Sequence, residues 1–414
     1  MYRRTATAIV FGFSALQTIA LSAAQESSPS VVQPVLTEPG ATPFHLSASI
    51  TEQADFNEHV DLELFWVAAN KWRRTITSQN FSQVLVVNGD KVFEQDSDDY
   101  FPLGIQALTT ALIDPRPALQ AWRPGDLLLT KTNGAAEESG KFCFNIAKTM
   151  CGKSRYGLTE TIGAPGEFVT FSDYKPFEGK RVARLVTYKV DQGDSLQARV
   201  TSLEKMGSID EKLFEIDQPT SKEKQLAVET VSQAELSDRA LQPLEIIWPQ
   251  VLDGRTTGET SYLISIDKTG KVRDVLPLDV AIERANDSAR RQIFDWKFKP
   301  VQKDGVSLQT EAVLKFNFNT RAYGPADMLT DSDARKLATN AVEPDFPAGS
   351  VPGTTCAIRV AVDSFGSLIE QIAGDCAPGL YEVCSRTLGK WRFSPITQDG
   401  KPLPYRAEIL FHVP

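Results

Sequence analysis

A pattern that occurs twice in the C-terminal part of the chain constrains the fold more than any other feature. The first copy runs Pro249, then Ile266-Asp267-Lys268-Thr269-Gly270, Trp296-Lys297-Phe298-Lys299-Pro300 and Asp304-Gly305, and closes on Leu314, Phe316 and Phe318. The second runs Pro347, Val362-Asp363-Ser364-Phe365-Gly366, Trp391-Arg392-Phe393-Ser394-Pro395 and Asp399-Gly400, and closes on Ile409, Phe411 and Val413. Gly270 precedes Trp296 by 26 residues and Gly366 precedes Trp391 by 25, while each Trp precedes the later Gly by nine. Agreement over so many intervals marks a tandem duplication, with each copy a structural unit.

Each copy divides in the same way. In the first, Tyr262, Ile264 and Ile266 alternate with Ser261, Leu263 and Ser265, which predicts a strand. The chain turns from Asp267 to Gly270 and returns through Val272 and Val275, with Gly270 expected in a left-handed conformation that strains other residues. Ala281, Ala285, Ala289 and Ile293 recur every four residues, the apolar stripe of a helix whose other face carries Glu283, Arg284, Asp287, Arg290 and Arg291. Trp296 and Phe298 follow as core anchors, Pro300 closes a turn, and residues 310–318 make a last strand. The expected unit is ββαβ, one helix on a three-stranded antiparallel sheet. Asp363, Gly366, Trp391, Phe393 and Pro395 are the matching anchors of the second copy.

This set of residues, with Cys376-Ala377-Pro378 in the second copy, resembles the C-terminal domain of TonB-type energy transducers. The resemblance implies a module that binds an extended segment of an outer-membrane receptor at its sheet edge, where backbone groups supply most of the affinity. Two departures separate the chain from that family: its hydrophobic N-terminus reads as cleavable, and it has no long Pro-rich spacer. A force-transducing role therefore does not follow from the motif.

At 414 residues the chain exceeds one core. Repeats at 244–325 and 330–414 leave an N-terminal region of its own kind. The net charge of −9, with 12 Lys+Arg against 11 Asp+Glu in the first repeat and 8 against 10 in the second, excludes a basic nucleic-acid-binding face. Arg3 and Arg4 precede an apolar run from Thr7 to Leu21, and Ser22-Ala23-Ala24 places small residues for cleavage before Gln25. Residues 1–24 thus read as a signal peptide, and the mature chain as periplasmic. A retained signal anchor is the alternative. In an oxidising compartment Cys143 is expected to pair with Cys151, and Cys356 with Cys376 across a hairpin, leaving Cys384 free or competing.

Residues 25–43, rich in Pro, Ser and Gly, read as a linker. From Phe44 the pattern is that of strands. Phe44, Leu46, Ala48 and Ile50 alternate with polar residues, as do Val60, Leu62, Leu64 and Trp66, and Asn88-Gly89 between apolar runs signals a tight hairpin. Leu103, Ala107, Leu108, Ala111 and Leu112 have helical spacing, stopped by Asp114-Pro115. Residues 120–160 are poorly periodic. Strands resume at 167–171, 180–190 and 195–203. The Trp72-Arg73 pair, the hairpin Asn88-Gly89-Asp90-Lys91-Val92-Phe93 and Phe171-Ser172-Asp173-Tyr174 resemble the outer-membrane lipoprotein carriers. That resemblance implies an open half-barrel over 44–217, wrapping a helical lid and taking acyl chains or other apolar ligands on its concave face. Self-filling by the protein's own side chains is the alternative. Residues 218–243 read as a second linker with a short helix.

The expected fold class is α+β, a curved antiparallel half-barrel followed by two ββαβ units. No nucleophile elbow, phosphate loop, dinucleotide fingerprint or metal motif is present, and His45, His59 and His412 are far apart in sequence. No catalytic residue, cofactor or metal is expected, and Asp98-Asp99 and Glu137-Glu138 read as solvated loop charges. The leading expectation is an envelope adaptor binding outer-membrane or other envelope proteins through 244–414. The alternative is a lipid or lipoprotein carrier using 44–217.

Overall fold

The computed structural model describes residues 35–52, 59–114, 141–145, 149–153, 157–162, 167–190, 195–377 and 379–414, with backbone alone between 141 and 168. The expected signal peptide, the loop pair Glu137-Glu138, and the Cys143 and Cys151 side chains lie outside the described residues.

In chain order the elements are β1 (Phe44–Glu52), β2 (His59–Ala68), β3 (Lys71–Thr77), β4 (Ser82–Asn88), β5 (Lys91–Asp96), α1 (Leu103–Ile113), β6 (Lys141–Asn145), β7 (Thr149–Lys153), β8 (Gly157–Ile162), β9 (Glu167–Phe177), β10 (Lys180–Val190) and β11 (Ser195–Lys205). Then come β12 (Val228–Thr230), α2 (Gln233–Ser237), β13 (Thr257–Ile266), β14 (Val272–Asp279), α3 (Glu283–Phe294), β15 (Val301–Lys303) and β16 (Val306–Asn319). The last are α4 (Asp331–Leu337), β17 (Thr355–Val362), β18 (Leu368–Cys376), α5 (Leu380–Leu388), β19 (Ile396–Gln398), β20 (Lys401–Leu403) and β21 (Tyr405–His412).

Eleven strands make one antiparallel sheet in the order β5-β4-β3-β2-β1-β11-β10-β9-β8-β7-β6. It consists of two meanders joined where Phe44 lies opposite Lys205 and Ile50 opposite Ala198. The alternating residues of β1 and β2 send Phe44, Leu46, Ile50, Val60, Leu62 and Leu64 into the core, each nearly fully buried. Each such side chain contributes about 1.5–3 kcal/mol relative to exposure. Gly89 takes φ +62° in the expected hairpin. The poorly periodic stretch supplies β6, β7 and β8, with Cys143 opposite Cys151 in the backbone register. Within the stretch expected as a linker, Val35 and Leu36 are buried, and the Leu36 N–H donates to the Ile113 carbonyl at 2.8 Å.

The two repeats fold alike. Their sheets run β14-β13-β16 and β18-β17-β21, and α3 or α5 follows each hairpin. Trp296 and Trp391 are 5% and 1% exposed, packed in separate cores with Phe298 and Phe393. Gly270 sits at φ +91°, and a Cβ there would lie 1.9 Å from the Phe298 carbonyl oxygen; at Gly366 (φ +78°) the Phe393 carbonyl oxygen would be met at 1.9 Å. Glycine is thus required twice over, by conformation and by space. Cys356 and Cys376 are bonded and opposite each other in β17–β18, and Cys384 is free and buried in the same core. No helix among the described residues is long and apolar enough to cross a membrane.

Candidate functional site

The face of the large sheet that α1 covers is apolar along several neighbouring strands. Phe44 pairs with Trp66, Ala48 with Leu62 and Val200, Ala198 with Val186, and Val186 with Phe171. These residues form one cluster spanning β2, β1, β11, β10 and β9. The helix α1 packs on β10 and β11 and turns Ile105, Leu108 and Leu112 into that cluster. It comes so close that a Cβ on Gly104 would lie 2.2 Å from Leu196 Cδ1. At the β9–β11 side, Val169, Tyr174, Phe177 and Leu196 pack against the cluster while only partly buried.

Along β3 to β5 the same face becomes polar. In successive register rows Ile76 faces Gln83 and Gln83 faces Asp96, while Arg74 faces Leu85 and Leu85 faces Glu94. Arg74 donates to Gln83 Oε1, and Gln83 Nε2 donates to Glu94 Oε1 at 3.0 Å and Asp96 Oδ1 at 2.9 Å. Burial lowers the Arg74 pKa to about 10 and pushes the Asp96 carboxyl up to about 6, opposed there by Gln83. Asp96 Oδ2 is buried without a hydrogen-bond partner. The first repeat closes this half: buried Lys268 lies close enough to influence both carboxylates, and its Nζ donates to the Glu223 carbonyl at 3.2 Å.

The segment from Asp98 to Leu103, which leads into α1, rests on the first repeat. Asp98, expected as a solvated charge, instead pairs with Arg273, which holds its carboxyl below the usual range. Phe101 stacks on Phe81 with centroids 5.3 Å apart and lies 5.0 Å from the Arg74 guanidinium.

Both repeats cover the outer edge of their last strand with chain that lies N-terminal to their first hairpin. In the first, β12 runs parallel to β16, Val228 opposite Gln309 and Thr230 opposite Glu311, and the Gln233 amide exchanges hydrogen bonds with the Lys315 backbone at 2.9 and 3.2 Å. In the second, Leu329 bridges β21, while Asp331 accepts from the Leu410 N–H at 2.9 Å and Arg335 donates to the Leu410 carbonyl at 2.8 Å. Ser232 and Thr330 cap the short helices that follow, and Leu236 and Ala334 beneath them are fully buried. Residues 218–243, expected as a linker, thus supply structure to the first repeat. The signal was legible as Ser232-x-x-Glu235, a capping box.

The repeats also dock on what precedes them. Asp363 receives Arg291 Nη2 of α3 at 2.6 Å, and Phe365 lies 4.4 Å under the same guanidinium. Glu370 pairs with Arg284 and accepts from the Leu252 N–H at 2.8 Å. Seven residues before Glu370 stands Asp363, and seven before Asp274 stands Asp267, so Asp274 and Glu370 are equivalent positions. Burial raises both carboxyls. No group of three or more His, Cys, Asp or Glu among the described residues is arranged to hold a metal ion.

No family model and no curated protein matches the chain. Among the solved structures that align with the chain, three cover less than half of it. They are an outer-membrane lipoprotein-sorting protein domain from Vibrio parahaemolyticus (11% identity, 42% of this chain and 89% of that one, TM-score 0.23), a LolA superfamily protein from Nitrosomonas europaea (10%, 44% and 93%, 0.25) and a DUF1329 family protein from Desulfovibrio piger (7%, 42% and 90%, 0.23). Overlaps at these TM-scores leave the fold to be read from its own strand order.

Proposed function

We propose that this chain is a non-catalytic envelope protein that holds an apolar ligand, an acyl chain of a lipid or lipoprotein, against the apolar face of its N-terminal sheet. One observation carries the reading: the apolar face continues across β2, β1, β11, β10 and β9, past the helix, to the partly exposed Val169, Tyr174, Phe177 and Leu196. An apolar face of this length, with partly buried residues along its β9–β11 side, suits an extended hydrocarbon, which gains about 0.8 kcal/mol per buried CH₂. The repeats then serve as a fixed support for the sheet. A role for residues 244–414 in binding envelope proteins by strand addition is less favoured, because β12 and the segment around Leu329 already occupy the last-strand edges. Such a partner would have to displace them or pair with β14 or β18 at the other edge.

Titration of the full chain with N-phenyl-1-naphthylamine tests the reading. Saturable fluorescence enhancement, competed by palmitate and weakened by Val169→Asp or Leu196→Asp, is expected. A filled core would give no saturable signal.

A further inference from the structure

The helix α1 lacks a cap of its own. Its N-cap residue is Pro102, which makes no side-chain cap bond, and the Leu103 N–H donates instead to Asp274 Oδ2 of β14 at 3.2 Å. A carboxylate at a helix N-terminus is favourable both as an acceptor and through the helix dipole. This one comes from the first repeat. The same oxygen accepts the Tyr100 hydroxyl, and the Arg273 guanidinium lies 5.0 Å over the Tyr100 ring. One residue on, fully buried Gln309 of β16 grips the Phe101 backbone on both sides: its Oε1 accepts from the N–H at 2.7 Å, and its Nε2 donates to the carbonyl at 2.9 Å. Gln309 is also where β12 begins its pairing with β16.

We propose that the first repeat is the latch of α1: an acyl chain reaches the part of the apolar face beneath the helix only when residues 98–103 come off Asp274 and Gln309. The proposal rests on the reading of that face as the ligand site. An eleven-residue helix has little stability alone in water. Its position is therefore set by what it packs on below and by what holds its first turn. The hold is cooperative. Leu103 and Tyr100 share one oxygen of a partly buried carboxylate, which without them keeps only the influence of Arg273 and Arg290, so intermediate positions are disfavoured and the latch is either closed or released. Tyr100 and the backbone N–H are neutral partners of Asp274, and the partly exposed Asp98–Arg273 ion pair beside them separates with the same segment.

Hydrogen exchange on the full chain, paired with the rate of N-phenyl-1-naphthylamine entry, tests the latch. In Asp274→Ala the amides of Phe101, Leu103 and α1 should exchange about tenfold faster or more. Amides of β13 and β17 should keep their protection, and probe entry should quicken with unchanged saturation. Asp274→Asn, which keeps an acceptor, should restore most of the protection, and Tyr100→Phe, the mildest change, should loosen α1 by a smaller factor. Unchanged α1 exchange in a variant with intact β13 would overturn the latch, as would α1 and β13 loosening to the same extent. If α1 loosens selectively and neither wild type nor variant takes up probe, the latch stands and the apolar-ligand reading fails.

Discussion

The two repeats share a frame and differ in how they are fastened. In each, a glycine at the hairpin turn lies under a phenylalanine carbonyl, a tryptophan fills the core, and a carboxylate on the second strand grips a backbone N–H of the preceding body. Asp274 is matched with a tyrosine hydroxyl, whereas Glu370 is matched with Arg284. The second repeat also carries the Cys356–Cys376 disulfide and buries Asp363 completely under Arg291. The frame residues explain why both units fold alike. The fastening residues explain how the junctions differ: the second-strand carboxylate of the second repeat is ion-paired, whereas that of the first is held by neutral donors, with the Asp98–Arg273 pair beside it.

The largest effect should come from the shared frame. Gly270→Ala and Gly366→Ala each force a Cβ to within 1.9 Å of a carbonyl oxygen at positive φ, and each should destabilise its repeat by about 3 kcal/mol or more in chemical denaturation. A large loss in only one of them would mean that the frames are not equivalent. Next in size is the Arg284–Glu370 pair. Arg284→Met leaves the Glu370 side chain, 4% exposed, without its cation, and since Arg284 itself is 38% exposed the loss should be about 2 kcal/mol. Calorimetry should show the second repeat melting separately in that variant, which would not happen if the junction were held by packing alone.

The smallest effect concerns the polar half of the sheet. Asp96 has its pKa raised to about 6 from 3.8, chiefly by burial, so the folded protein takes up a proton more readily than the unfolded chain. Its contribution to stability is fully present below pH 4 and is lost as pH rises through about 6. Asp96→Asn should therefore raise the melting temperature at pH 7.5 and flatten the pH dependence between 4 and 6. Discounted for the water that reaches this carboxyl, the gain is on the order of 1 kcal/mol. A variant less stable at pH 7.5 would show that Arg74 and Lys268 compensate the charge fully.

Much of the fold was legible as periodicity. Alternation marked β1 and β2, the Asn88-Gly89 turn marked the β4–β5 hairpin, helical spacing marked α1, and matched intervals marked both repeats. The rest depended on pairing that spacing does not encode. The short strands β6 to β8 have no clear alternation, and β12 is a three-residue strand whose partner is some 80 residues away. The candidate site was legible only by half. Phe44, Leu46, Leu62 and Leu64 announced an apolar face, but Asp274, Gln309 and Asp98 read as ordinary strand or loop residues. Their role comes from which body the hairpin meets, and only the equivalence of Asp274 with Glu370 hinted at it.

The central claim is that the apolar face takes an acyl chain, and native mass spectrometry of the full chain, purified from the cell envelope without detergent exchange, tests it most directly. The account predicts a population heavier than the bare chain by the mass of a lipid or acyl-bearing ligand, diminished in Val169→Asp and more rapidly lost in Asp274→Ala. A ligand-free mass in repeated preparations, unchanged after incubation with palmitate or phospholipid, would contradict it.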